Sequence, residues 1–340
     1  MGYHRDMRTY YGCVLAVAAL IVSSCATHTQ SIYRQLLSLE HNTSPLTEQY
    51  PNMRTITYNG NKAYEFGSES SGTLAIIIEG SGFFSVLGWE EGGQFQKNGL
   101  WFYLLELFKN DCTVLVLEKL NFELGKYYEY DVDFRRAYTL DNLVKNYAAT
   151  INQYLSEHSY AKVVLLGSSE GACVLPRVYK SITNQRTISG MVSVSYGGLS
   201  RYNQTKILAN SSLGGINDIA REIFNNIDVY KNDIGLYPKS IGSFLGYPYA
   251  WWNSIFDYTP YNDYKDIDIP VLFIHGELDI NVPVESTTYI RDHLPNKPFE
   301  YLIYPDADHH SFMNSEETFY DLVTKSRAWL RSITPLEPKG

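Results

Sequence analysis

Cysteine is scarce in this sequence, with four residues in a chain of 340. They lie at positions 13, 25, 112 and 173, without the spacing to one another or to histidine that is typical of a zinc site, so we predict no metal ion and assign no cofactor. Cys112 opens a predicted strand, whereas Cys173 lies on a predicted helix that follows a different strand. We therefore expect Cys112 and Cys173 to be buried free thiols rather than a disulfide.

Positive charge is also limited. Lys and Arg together number 28 against 37 Asp and Glu, which gives a net charge of −9. Because binding to nucleic acid depends on clustered Lys and Arg, we predict no nucleic-acid partner. The phosphate-binding pattern G-x-x-x-x-G-K is absent, as are internal repeats and low-complexity segments. The composition, 44% hydrophobic and 19% charged, is that of a globular protein with a sizeable core.

The apolar run near the N-terminus is too short for a comfortable transmembrane helix. Residues 13–22 follow two arginines and have roughly the length of the apolar region of a signal peptide. The sequence VSSC at 22–25 resembles the lipobox of bacterial lipoproteins. The resemblance implies a signal peptide at 1–24, acylation of Cys25 and a lipid anchor in the bacterial cell envelope, at the outer membrane of a Gram-negative cell because alanine rather than aspartate follows. An ordinary cleaved signal and an uncleaved anchor are the alternatives.

The remaining sequence predicts a tether at 25–52, one α/β domain at 53–332 and a tail at 333–340. Apolar runs predict strands at 53–58, 62–67, 73–79, 112–118, 163–166, 190–194, 271–275 and 301–304, with amphipathic helices between most of them. The Asn59-Gly60 pair predicts a hairpin between the first two. Strands that are apolar throughout and alternate with helices predict a mostly parallel sheet with helices on both faces.

One connection is much longer than the others. Residues 199–268 separate two predicted core strands and end in an aromatic-rich stretch that contains Trp251 and Trp252. Connections of this length inside an α/β domain are usually lids or binding elements, so we predict a helical lid. A surface insertion is the alternative, and the two tryptophans either contact an apolar, aromatic or sugar-like group of a substrate or fix the lid to the core.

Polar residues follow three of the predicted strands, at the edge of a parallel sheet where function is expected. Ser169 stands in GSSEG at 167–171, directly between an apolar strand and a helix, which is typical of a tight turn that presents a nucleophile. Asp279 follows the next of these strands, and His309 and His310 follow the last one. Serine requires a base to become nucleophilic, and that base requires an acceptor that fixes its tautomer. The sequence therefore predicts a Ser–His–Asp triad.

A fourth strand end carries the glycine-rich sequence EGSG at 79–82. Acyl transfer develops a negative charge on oxygen that backbone N–H groups can stabilise. We predict that the N–H groups of Ser81 and of Glu170, the residue after the nucleophile, form this oxyanion hole.

These motifs together resemble the α/β-hydrolase fold family over about residues 53–332. The matching sequences are EGSG, GSSEG, HGELDINVP and YPDADHHSF. The resemblance implies that Ser169 is the nucleophile, Asp279 the acid, and a histidine at 309 or 310 the base. We favour His309 because the strand end at Tyr304 limits the reach of the loop, whereas a His-x-Phe pattern favours His310. Pro176, inside the helix after the nucleophile, is expected to kink or shorten that helix.

The function predicted from this resemblance is hydrolysis of a small-molecule ester through an acyl-enzyme on Ser169. A peptidase, a thioesterase and an acyltransferase are alternatives, since the same acyl-enzyme serves each of them. Serine peptidases of this fold often carry a propeller domain, and about 30 residues before the first strand are too few to build one. A surface-binding lipoprotein without catalysis is a further alternative, which a fluorophosphonate probe would distinguish by failing to label Ser169.

Overall fold

The computed structural model describes residues 48, 50–67, 72–91, 94–96, 112–120, 122, 131–211, 216–226, 247–309 and 316–333. The predicted signal peptide, Cys25 and His310 lie outside these residues, as do parts of the predicted tether, lid and tail. Among the residues that are described, no helix has the length and apolar character needed to cross a membrane.

Eight of the ten strands in the described residues form one sheet. The strands are β1 Arg54–Tyr58, β2 Asn61–Phe66, β3 Thr73–Ile78, β4 Trp89–Glu91, β5 Gln94–Gln96, β6 Thr113–Leu117, β7 Lys162–Ser168, β8 Ile188–Val194, β9 Val271–Gly276 and β10 Phe299–Tyr304. The large sheet has the order β1-β2-β6-β3-β7-β8-β9-β10, and β4 pairs with β5 in a separate hairpin. The strands from β6 to β10 in this order are parallel, whereas β1 and β2 add an antiparallel edge. The predicted mostly parallel sheet is confirmed.

The turn between β1 and β2 follows from its two residues. Asn59 and Gly60 have φ angles of 51° and 85°, the left-handed pair that a tight two-residue hairpin turn requires. Asparagine and glycine adopt this conformation more readily than other residues, so the antiparallel edge is specified locally.

Helices occupy most of the connections between strands. They are α1 Val132–Ala137, α2 Leu140–Glu157, α3 Glu170–Ser181, α4 Arg201–Ala209, α5 Ile216–Asn225, α6 Tyr249–Ile255, α7 Tyr261–Tyr264, α8 Glu285–His293 and α9 Glu316–Ser332. The start of α2 is fixed by Thr139, whose hydroxyl accepts a hydrogen bond from the N–H of Asn142. Pro176 lies inside α3, which continues beyond it to Ser181, and the predicted kink stays a prediction.

The sheet separates two apolar cores because neighbouring strand residues point to opposite faces. On β3, Leu74, Ile76 and Ile78 belong to one core, and Ala75 and Ile77 to the other. Cys173 lies in the first core and Cys112 in the second, so the sheet stands between these two buried thiols, which are not joined by a disulfide.

The described part of the predicted lid contains α4 to α7 and packs onto the domain through aromatic side chains. Trp252 and Phe256 are buried in the same core as the first face of β3. Helix α6 contacts α1 and α2, and the hydroxyl of Ser254 accepts a hydrogen bond from the N–H of Leu140 at 2.9 Å. This segment therefore forms one wall over the edge of the sheet where β7 ends.

Candidate active site

The turn between β7 and α3 holds Ser169 in a strained conformation. Its φ of 52° and ψ of −114° are rare for a residue with a side chain. A Cβ atom on Gly171 would lie 2.0 Å from the carbonyl oxygen of Ile78, and one on Gly167 would lie 2.6 Å from the carbonyl oxygen of Gly171. The glycines on both sides of the serines are thus required by close backbone packing, and the turn exposes the Ser169 hydroxyl at the edge of the sheet.

Ser169, His309 and Asp279 are joined by two hydrogen bonds. His309 Nε2 lies 2.9 Å from Ser169 Oγ, and His309 Nδ1 lies 2.7 Å from Asp279 Oδ2. Because the carboxylate of Asp279 only accepts, Nδ1 carries the proton and Nε2 is left to accept the hydrogen of the serine hydroxyl. The three predicted triad residues thus lie within hydrogen-bond reach, each just beyond the end of a different parallel strand.

Asp279 is buried and strongly hydrogen-bonded. Its Oδ1 accepts hydrogen bonds from the N–H groups of Asn281 and Val282, both at 2.8 Å. Burial alone would raise the pKa of Asp279, but hydrogen bonds with His275 and His309 outweigh it and hold the pKa well below its usual value. The carboxylate therefore stays ionised at neutral pH, which favours a fixed tautomer of His309.

His275, at the end of β9, is a second histidine beside Asp279 that sequence reasoning missed. It is fully buried, with Nε2 at 2.9 Å from the carbonyl oxygen of Val282 and 3.3 Å from Asp279 Oδ2. Its Nδ1 lies 2.7 Å from Thr287 Oγ1. Nε2–H donates to the first two oxygens and Nδ1 accepts from the threonine, so His275 supports the turn that carries Asp279. A histidine at the end of an apolar strand was the available signal.

The triad opens onto a cavity of about 370 Å³. Ser169 and His309 line this cavity together with the two predicted oxyanion residues, Ser81 and Glu170. A Cβ atom on Gly80 would lie 3.1 Å from the Cβ atom of Ser169, so the loop after β3 lies directly against the nucleophile. The cavity thus places one predicted nucleophile and two predicted donors on a common surface.

The backbone around these two donors leaves them available. The N–H of Gly80 donates to Oε1 of Glu79 at 3.0 Å. Within the described residues, no such bond occupies the N–H of Ser81 or that of Glu170, which opens helix α3. An oxyanion at this position would satisfy both groups and the positive end of the α3 dipole.

The side chains of Ser81 and Glu170 are both held by the predicted lid. The buried carboxylate of Glu170 accepts hydrogen bonds from Tyr138 Oη at 2.5 Å and from Trp251 Nε1. Trp251 stacks on Tyr247 with ring centroids 4.1 Å apart, and the hydroxyl of Tyr247 donates to Ser81 Oγ. A single short segment thus connects both predicted oxyanion residues through their side chains, a linkage without any sequence signal.

A buried cluster of charges lies next to this wall. Lys119 is 2% exposed and lies among Glu79, Glu118 and Glu170. Burial lowers the pKa of Lys119 and raises that of Glu170, in each case against the attraction between the two groups. In the described part of the chain, no group of three or more metal-ligating side chains is found.

The two tryptophans of the aromatic stretch differ in position. Both are almost fully buried, yet Trp251 lines the cavity while Trp252 packs against Tyr247 and Phe256 in the core. Trp252 therefore fits the role of fixing this segment to the core, whereas a contact of Trp251 with a substrate stays a prediction.

Comparison with protein families gives one match. The model described as the prolyl oligopeptidase family matches residues 226–334, a segment that includes Asp279 and His309 but not Ser169. No curated protein matches this chain.

Solved structures resemble nearly the whole chain at low sequence identity. The acylaminoacyl peptidase of Pyrococcus horikoshii superimposes with a TM-score of 0.55 at 11% identity, over 91% of this chain and 44% of the peptidase. An esterase of Pyrococcus furiosus gives a TM-score of 0.55 at 16% identity, over 86% of this chain and 95% of the esterase. This chain thus spans less than half the length of the peptidase and nearly all of the esterase. With the strand order and the turn at Ser169, these likenesses show that the chain has the α/β-hydrolase fold.

Proposed function

We propose that this protein is a serine hydrolase that cleaves esters through an acyl-enzyme on Ser169. The observation that carries the proposal is the continuous hydrogen-bonded path from Ser169 through His309 to Asp279, at the mouth of a cavity. Serine hydroxyls outside such a path are poor nucleophiles near neutral pH.

The geometry supports a two-step reaction. In the first step, Ser169 Oγ attacks the carbonyl carbon while His309 Nε2 takes the hydroxyl proton, and Asp279 stabilises the imidazolium. The N–H groups of Ser81 and Glu170 hold the oxyanion that forms. His309 then gives the proton to the leaving alcohol, and the acyl group stays on Ser169. In the second step, water activated by His309 releases the acid.

Ester cleavage is supported by the likeness in fold to the esterase, of which this chain covers 95%. The peptidase alternative draws support from the prolyl oligopeptidase match over residues 226–334 and from the acylaminoacyl peptidase, of which this chain spans about 44%. Both reactions use the same acyl-enzyme, as do a thioesterase and an acyltransferase, so the acceptor and the leaving group distinguish them.

The test combines a mechanism-based probe with a substrate panel. We expect a fluorophosphonate to label Ser169 and 4-nitrophenyl esters to be hydrolysed faster than aminoacyl 4-nitroanilides. Faster turnover of the anilides would favour the peptidase. A folded protein that reacts with neither probe nor substrate would instead be a non-catalytic binding protein.

We also propose that Cys25 carries a lipid that anchors the protein to the cell envelope. The supporting feature is the VSSC sequence at 22–25 after an apolar run, all of it outside the described residues. Radiolabelled palmitate should enter the wild type in a bacterial host and be absent from Cys25→Ser. Equal labelling of the two proteins, or of neither, would contradict the anchor.

A further inference from the structure

The cavity beside Ser169 contains a second cationic side chain, Arg201. It is the first residue of α4, whose start is fixed by a hydrogen bond from the N–H of Asn203 to Ser200 Oγ. Arg201 lines the same cavity as Ser169 and His309, on the side of the turn that carries Asp279. Arg201 is therefore part of the wall of the space that a substrate would occupy.

Two neutral acceptors hold the guanidinium in place. Nη1 donates to the carbonyl oxygen of Asn281 at 2.6 Å and to Gln204 Oε1 at 3.2 Å. The Nε atom is buried and has no hydrogen-bond partner among the described residues. Within this part of the chain, Arg201 is thus orientated by Nη1, and the other donors of the planar group are unused.

Arg201 differs from Lys119, another cation that lines the cavity, in the charge of its neighbours. Lys119 lies among three carboxyl groups. In contrast, no carboxylate of the described residues lies within ion-pair distance of Arg201. A partly buried cation without an anionic partner is costly, and a guanidinium fork matches a carboxylate in geometry and charge.

We propose that Arg201 binds a carboxylate of the substrate, so that the preferred substrates are esters whose acyl part carries a free carboxyl group. This inference rests on the proposed hydrolase function and names the substrate class of the same site. A purely structural arginine would be expected to use its donors within the fold, whereas Arg201 lines the cavity and, among the described residues, uses only Nη1.

The test compares matched anionic and neutral esters. The anionic series consists of 4-nitrophenyl monoesters of straight-chain dicarboxylic acids, and the neutral series carries a methyl ester on the far carboxyl group. Since a charge-assisted hydrogen bond contributes strongly to binding, we expect the wild type to favour the best anionic member by roughly 10- to 100-fold in kcat/KM. Arg201→Gln should reduce this ratio to about one, and Arg201→Lys should restore part of it.

Arg177→Gln is the matched control. This arginine lies on α3 outside the cavity wall, where it pairs with Asp141 and packs over the ring of Tyr258. The substitution removes the same charge as Arg201→Gln, so its ratio of kcat/KM for anionic over neutral esters should equal that of the wild type. If only anilides are cleaved, N-succinyl and N-(methylsuccinyl) aminoacyl anilides provide the same comparison.

The outcomes separate this inference from the proposed function. Labelling of Ser169 and turnover of neutral esters, together with a wild-type ratio near one, would overturn the carboxylate site alone. An equal fall of kcat/KM for the anionic and the neutral esters in Arg201→Gln would also overturn the carboxylate site, because Arg201 would then be structural. If neither probe nor ester reacts with the folded protein, the hydrolase and the carboxylate site fall together.

Discussion

Two hydrogen-bonded groups of residues meet at Ser169, and they are built from different parts of the fold. The catalytic side consists of Ser169, His309 and Asp279, each positioned by the end of a strand. The wall side joins Ser81 and Glu170 to Tyr247, Trp251 and Tyr138, which belong to the predicted lid and to the segment after α1. In the proposed reaction, the sheet supplies the groups that move the proton, and the wall supports the groups that hold the charge.

The two buried carboxyl groups that flank Ser169 differ in the same way. One oxygen of Asp279 accepts hydrogen bonds from backbone N–H groups and the other from imidazoles, and the pKa of Asp279 is lowered despite burial. Glu170 accepts hydrogen bonds from one phenol and one indole, and the effect of burial is larger than theirs, so that its pKa is raised. The number and polarity of the donors, rather than burial alone, decide the direction in which the pKa of each carboxyl group is shifted.

The largest effect should come from the centre of the catalytic side. Ser169→Ala removes the proposed nucleophile, and kcat should fall by roughly 10³-fold or more, because triad residues act as a unit. The measurement is steady-state hydrolysis of one 4-nitrophenyl ester by purified, folded protein. Ser168→Ala is the control and should keep most of the activity. If Ser169→Ala were as active as the wild type, Ser169 would not be the nucleophile and the catalytic side would have no role in the reaction.

A similar loss is expected for His309→Ala, with a second signature in the pH profile. An imidazole that has gained a proton cannot accept another, so wild-type activity should fall as the pH is lowered. In His309→Ala the residual activity should lose this dependence. His310 lies outside the described residues, and His310→Ala should retain most of the activity and its dependence on pH. The reverse result would assign the base to His310 and leave Ser169 and Asp279 in place.

The smallest of these effects should come from the wall side. Trp251→Phe keeps an aromatic ring but removes the N–H that binds Glu170, so kcat on an acetyl ester should fall by roughly 3- to 30-fold with little change in KM. Trp252→Phe is the matched control, since Trp252 packs in the core and does not line the cavity. Equal losses of kcat in the two variants would mean that the wall side acts through packing and not through the predicted oxyanion residues.

Sequence reasoning predicted the sheet because its strands are short apolar runs that end at glycine or polar residues. It also predicted which residues would meet beyond the strand ends, since parallel strands bring their carboxyl ends to one edge. The wall could not be predicted in this way. Trp251 and Glu170 are 81 positions apart, and Tyr247 and Ser81 are 166 positions apart. Neither pair has a periodicity or motif that would connect its members.

Charged residues gave a second failure of the same kind. Glu79, Glu118 and Lys119 stand at the ends of apolar strands, where charge usually indicates solvent. In the structure they are all buried, and the carboxyl groups of Glu79 and Glu118 attract Lys119 beside the cavity. Only the spatial neighbourhood of these residues shows that opposite charges lie close together.

The position of the triad along the chain has a consequence for biosynthesis. The proposed nucleophile precedes its base by 140 positions, and the acid precedes that base by 30. During translation, the strained turn at Ser169 therefore leaves the ribosome long before the strand that positions His309. The chain would carry an unactivated serine until β10 had joined the sheet, so hydrolytic competence would depend on the last of the described strands to be synthesised.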